Sequence, residues 1–241
     1  MILEPDEVHV WYRFTDLIDD VALSAALAVL SAAEQEQYRR FLRLPDRRDY
    51  AAAHALLRNS LSRYSEVDPA AWKFQSTRHG KPSLVRCNDA VPGLSFSLSH
   101  ARGLVVCGIA HGCDVGVDVE GTERALDWSN IARRYFSAAE VVQLERCHKE
   151  HRAIRFIEFW TLKEAYLKAM GVGLSIPLNN VDFEIGDGGE VRFTPPPAFS
   201  DAEAARWQFA LLAPDARHRI AVAIAGTGGR VWRIIARPVW G

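Results

Sequence analysis

Apolar and polar positions alternate along several short stretches of this chain and recur at helical spacing along others. Val8-His9-Val10-Trp11-Tyr12 predicts an early strand, and the Ala/Leu-rich stretch Leu23 to Leu30 predicts a helix. Ser31-Ala32-Ala33-Glu34 fits a capping box, so a second helix should run through Tyr38 and Phe41. Pro45-Asp46 interrupts it. Asp46 could then cap a third helix, through Ala53, Leu56, Leu57 and Leu61.

The middle of the chain changes period. His79-Gly80-Lys81-Pro82 is turn chemistry. Leu94 to His100 alternates as a half-buried strand does, Leu104 to Ala110 is an apolar strand, and Val115 to Glu120 is a third. Together they predict an antiparallel meander. Helical signals return at Ile131–Phe136, at a second capping box (Ser137-Ala138-Ala139-Glu140, opening a helix to about His148) and at Ala153–Met170, which Gly171 and Gly173 stop. Short strands are expected at Val181–Ile185, Glu190–Phe193, Trp207–Leu212, Ile220–Ile224 and Val231–Ile235, with Pro195-Pro196-Pro197 in a loop.

The chain therefore repeats a rough plan of helices followed by a short sheet. The tetrapeptide Ser-Ala-Ala-Glu occurs once in each half. This predicts an α+β molecule of two packed lobes, residues 1–115 and 116–241. A chain of 241 residues, nearly half apolar, can bury such a core.

The net charge of −1 gives no global reason to expect a nucleic acid or an acidic membrane. Arginines nevertheless cluster, with seven between Arg39 and Arg63 against Asp46 and Asp49 alone. Cys87, Cys107, Cys113 and Cys147 make no CxxC pair, which argues against a zinc or redox motif. The first residues lack the basic region of a signal peptide, and no apolar run approaches a membrane span. A cytoplasmic location with reduced thiols is expected.

Four short constellations could carry chemistry. In Val117-Asp118-Val119-Glu120 the two acids share one face of a strand. A divalent cation such as magnesium would relieve their repulsion, but the spacing alone favours a solvated acidic strand end. In Trp160-Thr161-Leu162-Lys163-Glu164-Ala165-Tyr166-Leu167-Lys168, Glu164 and Lys168 share a helix face, as an ion pair or as a further metal acid with a cation beside it. Such a set suits a transferring phosphoryl group. Gly80-Lys81-Pro82 and Phe96-Ser97-Leu98-Ser99-His100 are weak alone.

In this order and spacing the four segments resemble the 4′-phosphopantetheinyl transferases of the surfactin-synthetase-activating type, in the subgroup with the tryptophan/Lys-Glu-Ala motif. The resemblance implies two similar α+β lobes related by a pseudo-twofold axis, a site in the cleft between them, and a monomer. It implies transfer of 4′-phosphopantetheine from coenzyme A to a serine of an apo acyl or peptidyl carrier protein, with 3′,5′-ADP released and Mg2+ required. Asp118, Glu120 and Glu164 match the metal-binding acids. Lys168 matches the lysine at the pyrophosphate, with Glu164 and Lys168 as the catalytic pair. Lys81, Ser99 and His100 match coenzyme A contacts, and Lys163 is assigned to the same side. Glu34 and Gln37 stand where the surfactin-type enzyme has lysines, so Arg40, Arg47 or Arg48 is expected to meet the 3′-phosphate.

The carrier is expected to meet a mixed basic and apolar rim. Candidates are Arg133, Arg134, Phe136, Val141, Val142 and Leu144, with the loop after Gly171; the apolar ones could equally be core. Two alternatives remain at this level: a coenzyme A-binding module without transfer activity, and a metal-dependent phosphohydrolase. Which carrier is the client, whether of fatty-acid, polyketide or nonribosomal-peptide synthesis, is not specified by these residues.

Overall fold

Both Ser-Ala-Ala-Glu segments start helices in the expected way. The Ser31 and Ser137 hydroxyls accept from the backbone N–H of Glu34 and Glu140, whose carboxylates reach back to the serine N–H groups. The computed structural model describes residues 1–76, 81–85, 92–123, 128–173, 176–196, 199–226 and 229–239. His79 and Gly80 of the expected turn, and Pro197 of the proline loop, lie outside the described residues.

The first half runs β1 (Glu7–Phe14), α1 (Asp20–Ala28), α2 (Ala32–Arg40), α3 (Leu44–Leu61), β2 (Phe74–Ser76), β3 (Pro82–Leu84), β4 (Leu94–Ala101) and β5 (Leu104–His111). The second runs β6 (Asp114–Gly121), α4 (Trp128–Tyr135), α5 (Ala138–Arg146), α6 (Arg152–Met170), β7 (Asp182–Ile185), β8 (Val191–Thr194), α7 (Asp201–Ala204), β9 (Trp207–Leu212), β10 (His218–Ala225) and β11 (Arg233–Pro238). The molecule is α+β, with helices and a largely antiparallel sheet in each half.

The expected meander is not formed. β4 and β5 pair antiparallel, but β6 leaves them and pairs with β10 in a second sheet, ordered β6-β10-β9. The first sheet is ordered β11-β1-β5-β4, and its outer strand β11 comes from the C-terminal end of the chain, parallel to β1. A second difference concerns α3. Asp46 does not cap it; the helix begins at Leu44, with Pro45 in its first turn, where no N–H is needed. Asp46 instead places its charge near the helix N-terminus.

The two sheets pack face to face. Val8, Val10, Leu104 and Val106 of the first meet Val115, Val117, Val119, Ile220, Val222 and Ile224 of the second. α3 covers the outer face of the first sheet through Ala52, Leu56 and Leu57 against Trp11, Val105 and Ile109. α6 covers the outer face of the second through Leu162, Ala165 and Ala169 against Ala221 and Ala223. Odd-numbered residues of β6 thus enter the core between the sheets, and even-numbered ones face α6.

Candidate active site

Gly116 sets how closely β6 lies under α6. A Cβ there would stand 2.0 Å from the Ala165 carbonyl oxygen and 2.4 Å from the Ala169 nitrogen. Only a residue without a side chain permits that approach, and it brings Asp118 and Glu120 beneath Glu164 and Lys168.

Lys168 Nζ donates to Asp118 Oδ1 at 2.6 Å and to Ser99 Oγ at 2.7 Å. Ser99 in turn donates to Asp118 Oδ1 at 2.9 Å and accepts from the Val119 N–H at 3.4 Å. Three segments distant in sequence, β4, β6 and α6, meet in this contact. Asp118 is buried, and its second oxygen, Oδ2, has no hydrogen-bond partner. The Glu164 carboxyl is pushed above its usual range, first by burial and then by the neighbouring charges of Asp118 and Glu120, with Lys168 opposing. Three acids therefore share one field with one lysine. An unpartnered buried carboxylate oxygen and mutual repulsion are what a hard divalent cation would relieve, so the residues fit a magnesium ion. Among the described residues no three such side chains converge on one point; Asp118 Oδ1 is engaged by Lys168.

Beside these groups lies a cavity of about 270 Å³, lined by Lys81, Ser97, Leu98, Glu164, Leu167 and Lys168 among others. Lys81 reaches across from the first half, and its ammonium donates to the Ala169 carbonyl at 3.1 Å, close to the C-terminus of α6. Burial lowers its pKa, with Asp114 opposing.

His100 stands on the other face of β4 from Ser99. It is exposed and within electrostatic reach of buried Asp49 on α3, which sequence reasoning did not single out. Arg40 is exposed, 3.7 Å from Glu36. Arg47 bonds the Phe41 and Arg39 carbonyls and so ties the α2–α3 turn. Of the three candidate arginines, Arg48 alone has no side-chain hydrogen bond or ion pair among the described residues. Glu34 is held by Arg58 at 2.7 Å and by His54 at 2.9 Å.

Lys163 does not reach this site. One residue from Glu164 is about 100° round a helix, and that turn carries Lys163 into the core. Its ammonium is fully buried, 2.8 Å from Glu140 Oε2, and donates to the Leu178 and Val181 carbonyls. For Phe136 and Leu144, the core reading holds: both are buried. Val142, Arg133 and Arg134 are exposed.

Two family models cover most of the chain. Residues 114–224 match the 4′-phosphopantetheinyl transferase superfamily, and residues 19–111 match the 4′-phosphopantetheinyl transferase N-terminal family. The chain is 32% identical over 228 residues to a 4′-phosphopantetheinyl transferase, HetI, of a Nostoc species, covering 95% of this chain and 92% of that protein. The chain belongs to the 4′-phosphopantetheinyl transferase family. It is also similar to the 4′-phosphopantetheinyl transferase Sfp of Bacillus subtilis, at 28% identity over 72% of this chain and 75% of that one. A third relative, the mouse L-aminoadipate-semialdehyde dehydrogenase-phosphopantetheinyl transferase, is 24% identical over 85% of this chain and 70% of its own. This two-lobed transferase thus has the modification of carrier proteins as its activity. Among its described residues no helix is long and apolar enough to cross a membrane.

Proposed function

We propose that this transferase moves 4′-phosphopantetheine from coenzyme A to the serine of an apo acyl or peptidyl carrier protein and releases 3′,5′-ADP. The observation that carries the reading is the Lys168–Asp118–Ser99 contact with Glu164 one helical turn away, opening on the cavity. Asp118, Glu120 and Glu164 would hold Mg2+. When bound, the ion neutralises charge developing on the pyrophosphate.

The remaining work falls to the chain itself. Glu164, which lines the cavity one helical turn from Lys168, would take the proton of the carrier serine hydroxyl on a carboxylate oxygen. Two of the Lys168 N–H donors are used by Asp118 and Ser99, which leaves one for a phosphate oxygen of the leaving group. The Ser99 hydroxyl proton already goes to Asp118, so Ser99 serves by holding Asp118 and Lys168 together. Arg48 supports the 3′-phosphate end. Arg133, Arg134 and Val142 offer a basic and apolar surface to an acidic carrier. In the division of labour proposed here, residues 1–115 take the adenine and phosphate side and residues 116–241 take the metal and the carrier.

The test is mass spectrometry of several apo-carriers after incubation with coenzyme A and Mg2+. A gain of one phosphopantetheine with 3′,5′-ADP release is expected, and Glu164→Gln should lose most of it. Release of 3′,5′-ADP without any carrier would favour a phosphohydrolase. Binding of coenzyme A without either product would favour a binding module.

A further inference from the structure

β4 and β6 are the facing edges of two different sheets. Among the described residues β4 ladders only with β5, and β6 only with β10. Between the two edges the links are serine side chains. Ser95 Oγ donates to the Cys113 carbonyl at 2.6 Å, Ser97 Oγ accepts from the Val117 N–H at 3.0 Å, and Ser99 Oγ accepts from the Val119 N–H at 3.4 Å. Three hydroxyls at every second position of β4 thus replace a backbone ladder. A direct ladder would bring the strands to about 4.8 Å. An interposed side chain holds them further apart, and the cavity lies along this seam, with Phe96, Ser97 and Leu98 in its wall.

Ser99 belongs to the site already described. Ser97 stands in the cavity wall but makes no contact with Asp118 or Lys168: it is buried, and its acceptor bond goes to the amide of the residue immediately before Asp118. Val117 itself is fully buried in the core between the sheets, so its N–H loses its side-chain acceptor if that bond is lost. We infer that Ser97 is a positioning residue for transfer: its hydroxyl fixes the β6 backbone at Val117 and, through it, sets Asp118 against Lys168 at the edge of the cleft. This rests on the transfer reaction proposed above.

Threonine and valine at position 97 fill nearly the same volume and differ in the hydroxyl, so any strain from the added methyl is common to both. Ser97→Thr and Ser97→Val are assayed for transfer to an apo-carrier at saturating and at limiting coenzyme A, with thermal unfolding of each. The Thr variant is expected to stay within about threefold of wild type in kcat, and the Val variant to fall about tenfold or more, the size of one hydrogen bond in a barrier. KM for coenzyme A should change by less than about twofold in either, because Ser97 acts on alignment and not on binding. Equal kcat for Thr and Val, a loss confined to KM, or a loss that merely follows a lowered unfolding temperature overturns the inference. If wild type itself fails to load any carrier, the proposed function fails. If wild type loads and the Val variant loads equally well, the role of Ser97 alone fails.

Discussion

The ammonium of Lys168 lies 2.6 Å from Asp118 Oδ1, so the cation that faces the cleft is also the partner of one of its acids. The two are fifty residues apart in sequence, on α6 and β6. Close packing at Gly116 makes the contact possible.

That pairing gives opposite signs to two properties of Lys168→Met. Removing the ammonium leaves Asp118 with one fewer counter-charge, so Mg2+ should bind several-fold more tightly, as titration calorimetry without carrier would read. Transfer should fall by about 10²-fold or more, because in the proposed reaction the phosphate loses its donor. Unchanged or weaker Mg2+ binding would show that Lys168 does not compete for the acids.

Gly116→Ala should damage both fold and activity. The new Cβ meets backbone atoms of α6, which cannot rotate away as a side-chain tip could. Destabilisation of about 3 kcal/mol and a loss of kcat are expected, measured by urea unfolding and steady-state transfer. A variant of wild-type stability would mean that α6 and β6 are not packed as described.

Lys163 should prove to be a stability residue. Lys163→Met leaves Glu140 buried without its partner, and a loss of about 3–5 kcal/mol is expected. The double variant Lys163→Met/Glu140→Gln should recover part of it, since both buried charges are then gone while the amide oxygen can still accept from the Ser137 or Phe183 N–H. Neither change should raise KM for coenzyme A selectively; if one does, Lys163 reaches the substrate after all.

Glu34 supplies a pH dependence. Burial alone would raise its carboxyl, but hydrogen bonds from His54 and Ser31 outweigh it and bring the pKa down to about 2, against an ordinary 4.5. A depressed folded value means stability that is fully present above 4.5 and lost as pH falls towards 2. Glu34→Gln should flatten the acid limb of the stability curve. It should also cost about 3 kcal/mol at neutral pH, since Arg58 is left buried without its charge partner. Acid titration followed by circular dichroism checks both.

Much of the molecule was legible because its signals are local. Both capping boxes, the glycine that ends α6 and the strand alternation are decided within a few residues, and the structure follows them. The α+β class and the order of the four motifs led to the family. The alternation of β4 was legible as well, but its polar face meets the β6 backbone, and nothing in Ser95, Ser97 and Ser99 distinguishes that from a face meeting water. The bond between Ser97 and the Val117 N–H was missed for the same reason, although the period-two spacing of three serines was a signal that could have been read.

By itself the sequence determined which residues share a face: Asp118 with Glu120 on a strand, Glu164 with Lys168 on a helix. Those pairings follow from backbone periods of two and 3.6, which need no knowledge of the rest of the chain. Only the tertiary structure decided what each face meets. It put Asp118 against Lys168 and Ser99, moved β6 out of the expected meander, and sent Lys163 into the core beside Glu140. The physical reason is that such meetings depend on how two sheets and a helix bury their apolar sides together, a condition summed over distant segments and written in none of them alone.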